Sequence, residues 1–113
     1  MTEPVYIAGV GMTPFGSSPE RTARDLFAEA ASKAYEDSEL APDHVEELFY
    51  GNFMGEFAET QGHQGPLMAD AAGVDAPATR VESACASSSA AVRMGVDKIR
   101  SGQADIVLVG GAE

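Results

Sequence analysis

The chain has one cysteine, two lysines (Lys33 and Lys98), no tryptophan and no long apolar run in its 113 residues. A single cysteine excludes an internal disulfide and a multi-cysteine metal site. In a chain of this kind it is either a small buried hydrophobe or a nucleophile. No stretch approaches the roughly 18 uninterrupted apolar residues that span a bilayer. Met1 is followed by Thr2-Glu3-Pro4-Val5, without the basic head and apolar run of a signal peptide. A soluble, cytoplasmic protein is therefore expected, with no membrane partner. Positive charge is scarce too: 7 Lys and Arg stand against 18 Asp and Glu, for a net charge of −11. That surface repels nucleic acid. An acidic, lysine-poor surface suits a high-salt cytoplasm, where screening shortens self-repulsion to about 3 Å at 1 M.

What is present alternates between strand and helix patterns. Val5-Tyr6-Ile7-Ala8-Gly9-Val10 is a short apolar run expected to form a buried strand, closed by Gly11 and Pro14. Thr22 and Asp25 form a capping signal. Leu26, Phe27, Ala30, Ala31, Ala34 and Tyr35 then recur at helical spacing, predicting an amphipathic helix to about Leu40. A strand is expected over 48–53, a loop over 54–66, and a short helix from Leu67 stopped by Gly73. A third strand over 79–83 leads into a helix from Cys85 to about Ser101, with Gly102 as its left-handed cap. Residues 104–110 form the most apolar strand. This β-α-β-α-β-α-β order predicts an α/β fold with layered helices on a mostly parallel sheet. The chain stops three residues past that last strand, so residues 1–113 are expected to be an incomplete domain of a longer protein.

Cys85 is the candidate catalytic residue. It falls where a strand gives way to a helix, and unpaired N–H groups at a helix N-terminus favour a thiolate. Helical spacing places Cys85 on a face with Val92, Val96 and Ile99, toward the core. Small residues from Ala84 to Ala91 allow close approach of a ligand, or simply tight helix packing. On these grounds a nucleophile and a structural thiol stand level. His63 lies in a polar loop and His44 near a helix start, and both read as surface residues. Gly9, Gly11 and Gly16 lack the spacing of a dinucleotide-binding loop.

Three segments together resemble one family. Cys85-Ala86-Ser87-Ser88-Ser89-Ala90-Ala91, Ile99-Arg100-Ser101-Gly102-Gln103-Ala104-Asp105 and Val109-Gly110-Gly111-Ala112-Glu113 are similar to the thiolase signature. Ile7 to Gly16 is similar to the start of a thiolase of the archaeal or sterol-carrier-type branch. Ser88 stands where the family usually has Gly. The resemblance implies a thiolase-like fold, with residues 1–113 as the N-terminal thiolase domain and the C-terminal domain absent. It implies an acyltransferase of lipid metabolism in which Cys85 takes an acyl group from acetyl-CoA or another acyl-CoA. These thioesters would be substrates, with no resident cofactor and no metal. The backbone N–H of Cys85 would help form an oxyanion hole. The remaining bases would come from sequence beyond residue 113, leaving this segment inactive alone. The resemblance also implies a homodimer or homotetramer, with the strand before the cysteine helix pairing with its copy, and an accessory subunit is a further expected partner. A 3-ketoacyl synthase, a hydroxymethylglutaryl-CoA synthase and a non-catalytic lipid-binding or scaffold subunit are the competing readings.

Overall fold

The structure is a computed structural model and describes residues 3–113. Its elements are α1 (Ala23–Ser38), a 3-10 turn (Pro42–His44), β1 (Glu47–Gly51), α2 (Gly55–Ala58), α3 (Gln64–Ala72), β2 (Ala78–Val81), α4 (Ser87–Arg100) and β3 (Val107–Gly111). The three strands form a parallel sheet in the order β2-β1-β3. Strand β1 is therefore central, and all five of its residues are buried. The register pairs Phe49 with Thr79 on one side and with Val109 on the other.

Alternation along β1 divides the core in two. Leu48 and Tyr50 point into a cluster with Phe27 and Ala31 of α1 and Met68, Ala69 and Ala72 of α3. Phe49 points the other way, against Val81 and against Ala91 of α4, with Val107 and Val109 packed beside it. This is the two-fold side-chain period of a strand covered on both faces, as in layered α/β folds. The rings of Phe27 and Tyr50 meet edge to face, with centroids 5.1 Å apart.

The capping signal at Thr22 is realised in full. Asp25 N donates to Thr22 Oγ1 at 3.1 Å, and Thr22 N donates to Asp25 Oδ2 at 3.0 Å. Those Thr22 hydrogen bonds, with smaller help from Arg21 and Arg24, hold the Asp25 carboxyl below the usual carboxylate range. The helix ends at Glu39, whose φ is 60°, short of the stop expected near Pro42. Gly73 (φ 71°) and Gly102 (φ 79°) take the left-handed conformation expected of them.

The first expected strand does not form. Residues 5–10 belong to no strand, and Tyr6, Ile7 and Val10 are exposed. The segment instead seats Gly9 and Gly11 closely on α1. A Cβ on Gly9 would lie 2.7 Å from Ser38 Cβ, and one on Gly11 would collide with the Ala30 carbonyl oxygen. Val10 N donates to Asp37 Oδ2 at 2.8 Å, and Lys33 Nζ donates to Met12 O at 3.2 Å. The segment is thus stitched to the helix, and a cavity of about 570 Å³ separates it from β3 and α4. Smaller shifts follow from side-chain bonds. The loop expected over 54–66 holds α2, and α3 begins at Gln64, three residues early. The last strand begins at Val107 because Glu46 Oε1 takes the N–H groups of Asp105 and Ile106 at 2.8 and 3.1 Å.

Phe27→Ala should cost about 3–5 kcal/mol of stability in urea denaturation, because its cavity opens against the central strand. The capping box makes a pH prediction as well. The Asp25 carboxyl is depressed in the folded state, so its contribution is present above the unfolded value and fades as pH falls through the folded one. The stability difference between Thr22→Ala and the parent should therefore be largest near neutral pH and shrink below about pH 4.

Candidate active site

The carboxyl ends of β1, β2 and β3 meet the N-terminus of α4, and Cys85 lies in the turn between β2 and that helix. Ala84, just before the cysteine, has φ 49°, a left-handed conformation uncommon for a residue with a side chain. Backbone bonds close the turn: Ala86 N donates to Ser83 O at 2.9 Å and Ser87 N to Ala84 O at 3.2 Å. Ala84 N donates to Glu82 Oε2 at 2.6 Å. The side chain of Ser87 spans the turn from inside. Its Oγ accepts from Ser83 N at 2.9 Å and donates to Ala84 O at 2.7 Å.

Cys85 itself is exposed. The expectation that it faces the core is therefore corrected. Helix α4 starts at Ser87, two residues later than expected, so the 3.6-residue period does not extend to the cysteine. The buried positions of α4 are Ser87, Ala91 and Gly95. Val92, Val96 and Ile99 instead line the cavity beside the N-terminal segment. Ala86 at the helix N-cap offers no side-chain acceptor, so the first-turn N–H groups beside Cys85 have no side-chain cap.

Two glycines set the seat of the helix. A Cβ on Gly51, at the end of β1, would lie 2.8 Å from the Cα of Ser88 and the carbonyl carbon of Ser87. One on Gly111, at the end of β3, would lie 2.7 Å from Ser88 Oγ. The sheet thus presents bare backbone where α4 begins. Ser88 sits in the helix with no positive φ, so this position makes no conformational demand for glycine.

Beside this seat, Glu113 joins the ends of β1 and β3. Its carboxylate accepts from Phe53 N at 3.1 and 3.0 Å, from Met54 N at 2.5 Å and from Asn52 Nδ2 at 3.4 Å. Tyr50 Oη and Asn52 Nδ2 both donate to Ala112 O, at 3.0 and 2.7 Å. Burial and the nearby Glu113 charge push the Tyr50 hydroxyl well above its ordinary range, so it stays a donor. Arg80 pairs with Glu56 at 3.0 Å and donates to Phe53 O at 3.1 Å, fixing the loop from the β2 side.

His63 is at the N-cap of α3, with Nδ1 3.2 Å from Gln61 Oε1. His44 Nδ1 accepts from Ala41 N at 2.9 Å within its own turn. Both are local structural residues in this geometry. Among the described residues no cluster of His, Cys, Asp and Glu has the form of a metal site. Nor is any helix among them long and apolar enough to cross a membrane. Sequence reasoning missed Ser87, Asn52 and the Ala84 conformation. Ser87 carried a signal, a serine two residues past a strand-to-helix junction, but an alanine gives none for a left-handed φ.

Comparison with known proteins places this geometry in one class of enzyme fold. Residues 5–113 match the family model "Thiolase, N-terminal domain". The acetyl-CoA acetyltransferase of Methanocaldococcus jannaschii is 43% identical over 110 residues, which is 96% of this chain and 28% of that protein. The acetyl-CoA acetyltransferase of Methanothermobacter thermautotrophicus is 37% identical, over 96% of this chain and 29% of that protein. The crystal structure of the Acat5 thiolase of Ascaris suum in complex with coenzyme A superposes with a TM-score of 0.82 at 26% identity, covering 93% of this chain and 29% of that one. The chain belongs to the thiolase family, as its N-terminal domain. It spans under a third of the length of these relatives.

The glycine seat yields a paired prediction. Gly51→Ala should destabilise the fold by about 1–3 kcal/mol in urea denaturation, because the new methyl meets helix backbone that cannot swing aside. Gly62→Ala, where an added Cβ meets nothing within 4 Å, should leave the midpoint unchanged.

Proposed function

We propose that this chain supplies the nucleophile half of a thiolase, with Cys85 as the residue that becomes acylated. The observation that carries the reading is the exposed thiol, presented by a left-handed turn at the uncapped start of α4, in a chain of thiolase sequence and fold. The relatives named acetyl-CoA acetyltransferases support acetyl-CoA as a substrate. In the first half-reaction the Cys85 thiolate attacks the thioester carbonyl. The bond from that carbon to the coenzyme A sulfur breaks, and coenzyme A leaves as a thiol once it takes a proton. The backbone N–H of Cys85 is one donor to the oxyanion formed on the way. In the second half-reaction the carbanion of another acetyl-CoA attacks the acyl carbon. A carbon–carbon bond forms, the bond to Sγ breaks and acetoacetyl-CoA is released. Thiolytic cleavage of a 3-ketoacyl-CoA is the same path reversed.

The proton transfers need bases, and neither His44 nor His63 is committed to Cys85 by any hydrogen bond. They come from chain beyond these residues in this reading, so the 113-residue segment is inactive alone. The reaction needs no resident cofactor. The full-length protein is a cytoplasmic homodimer or homotetramer of lipid metabolism, in which the edge position of β2 leaves that strand free to pair with its copy.

Incubating the full-length protein with acetyl-CoA should add about 42 Da, one acetyl group, to the peptide holding Cys85. Cys85→Ala should lower acetyl transfer by about 10³-fold or more. A folded full-length protein without the adduct, together with a fully active Cys85→Ala variant, would end the assignment. The excess of acidic groups also supports a high-salt cytoplasm. The thermal midpoint should then rise between about 0.1 M and 2 M KCl as self-repulsion is screened, and a fall over that range counts against it.

A further inference from the structure

We infer that Ser87 is a positioning residue for Cys85, acting through the turn rather than on the substrate. The inference rests on the proposed role of Cys85 as the acylated nucleophile.

Three features meet at this side chain. First, Ala84 holds φ 49°, a conformation an alanine adopts only when its surroundings impose it. Second, Ser87 is 5% exposed and its hydroxyl is used twice, accepting from Ser83 N and donating to Ala84 O. These belong to the Glu82–Ser83 and Ala84–Cys85 peptide groups, which bracket Ser83 and Ala84. One oxygen thereby ties the two ends of that two-residue segment and limits the torsions within it, the left-handed φ of Ala84 among them. Third, Ser87 is the first residue of α4, and its carbonyl carbon rests on the bare backbone of Gly51. The hydroxyl is therefore anchored to the sheet and does not move with the turn it holds.

Cys85 follows directly on the segment so tied. Relaxing Ala84 toward an ordinary negative φ would swing Cys85 Cα and its thiol relative to the start of α4. Other bonds in the turn do not substitute. The carboxylate of Glu82 takes Ala84 N at an exposed position, and the two backbone bonds close the turn from the Ala86 and Ser87 side. Among the described residues Ser87 supplies the only side-chain hydroxyl bonded to both Ser83 and Ala84.

The test uses the full-length protein and three variants. Ser87→Ala should lower kcat for acetyl transfer by about 10-fold or more while KM for acetyl-CoA stays within about twofold, because misplacing a reacting atom is felt in the chemical step. It should also change the rate of Cys85 alkylation by iodoacetamide by about threefold or more, read on the Cys85 peptide. Ser87→Thr, which keeps the γ-hydroxyl, should recover both. Placing Ala84→Gly in the Ser87→Ala background should recover part of the loss, since glycine takes the left-handed conformation unaided. The inference is overturned if a folded Ser87→Ala matches the parent in kcat and alkylation, or if Ser87→Thr is as slow as Ser87→Ala. Alkylation reads the turn without any substrate. A Cys85→Ala variant that kept full activity would thus remove the nucleophile assignment, and the dependence of the turn on Ser87 would still be measured separately.

Discussion

The close approach of α4 to the strand ends is the constraint on which the rest of this structure depends. Helix and sheet meet at backbone distance where Gly51 and Gly111 lie beneath Ser87 and Ser88. Any side chain there would lift the helix start and take the β2–α4 turn with it. The fully buried central strand, the two-sided core and the clamp at Glu113 all hold those glycines in place. In this sense the core is a platform for one short turn. The sequence places its small residues where that turn touches the sheet and its large ones elsewhere.

Much of this was legible beforehand, and the reasons differ by element. Helix α1 announced itself through both a capping box and a periodic apolar face, two signals with independent physical causes, and the structure shows both. The glycine stops at Gly73 and Gly102 were readable because a left-handed φ has few other occupants. The strand expected at 5–10 failed for a tertiary reason. Its apolar, β-branched composition suits a sheet, but Gly9 and Gly11 suit a helix surface equally, and composition does not say which neighbour arrives.

The site was half legible. Cys85 stood out through its place between strand and helix and through its family resemblance, yet helical periodicity assigned it to the wrong face. The period was continued two residues beyond the true start of α4. No propensity would have located that start, because the residue that sets it, Ala84, adopts a conformation its type disfavours. Local rules tend to fail where function requires an uncommon geometry, and here they fail beside the proposed nucleophile.

The Glu113 clamp bears on how the chain acquires its fold during synthesis. The central strand takes one of its two neighbours from residues about 30 positions downstream and the other from residues 60 positions downstream. The loop after β1 is tied by a carboxylate that follows it by 60 residues. A ribosome that has released β1, α3 and β2 has therefore delivered only one side of the sheet, leaving the other edge of a buried, mostly apolar strand waiting for β3. Non-local pairing of this kind forms slowly and leaves a sticky intermediate. The sheet closes only when the final few residues of this segment emerge, and the turn bearing Cys85 gains its finished seat at the same moment.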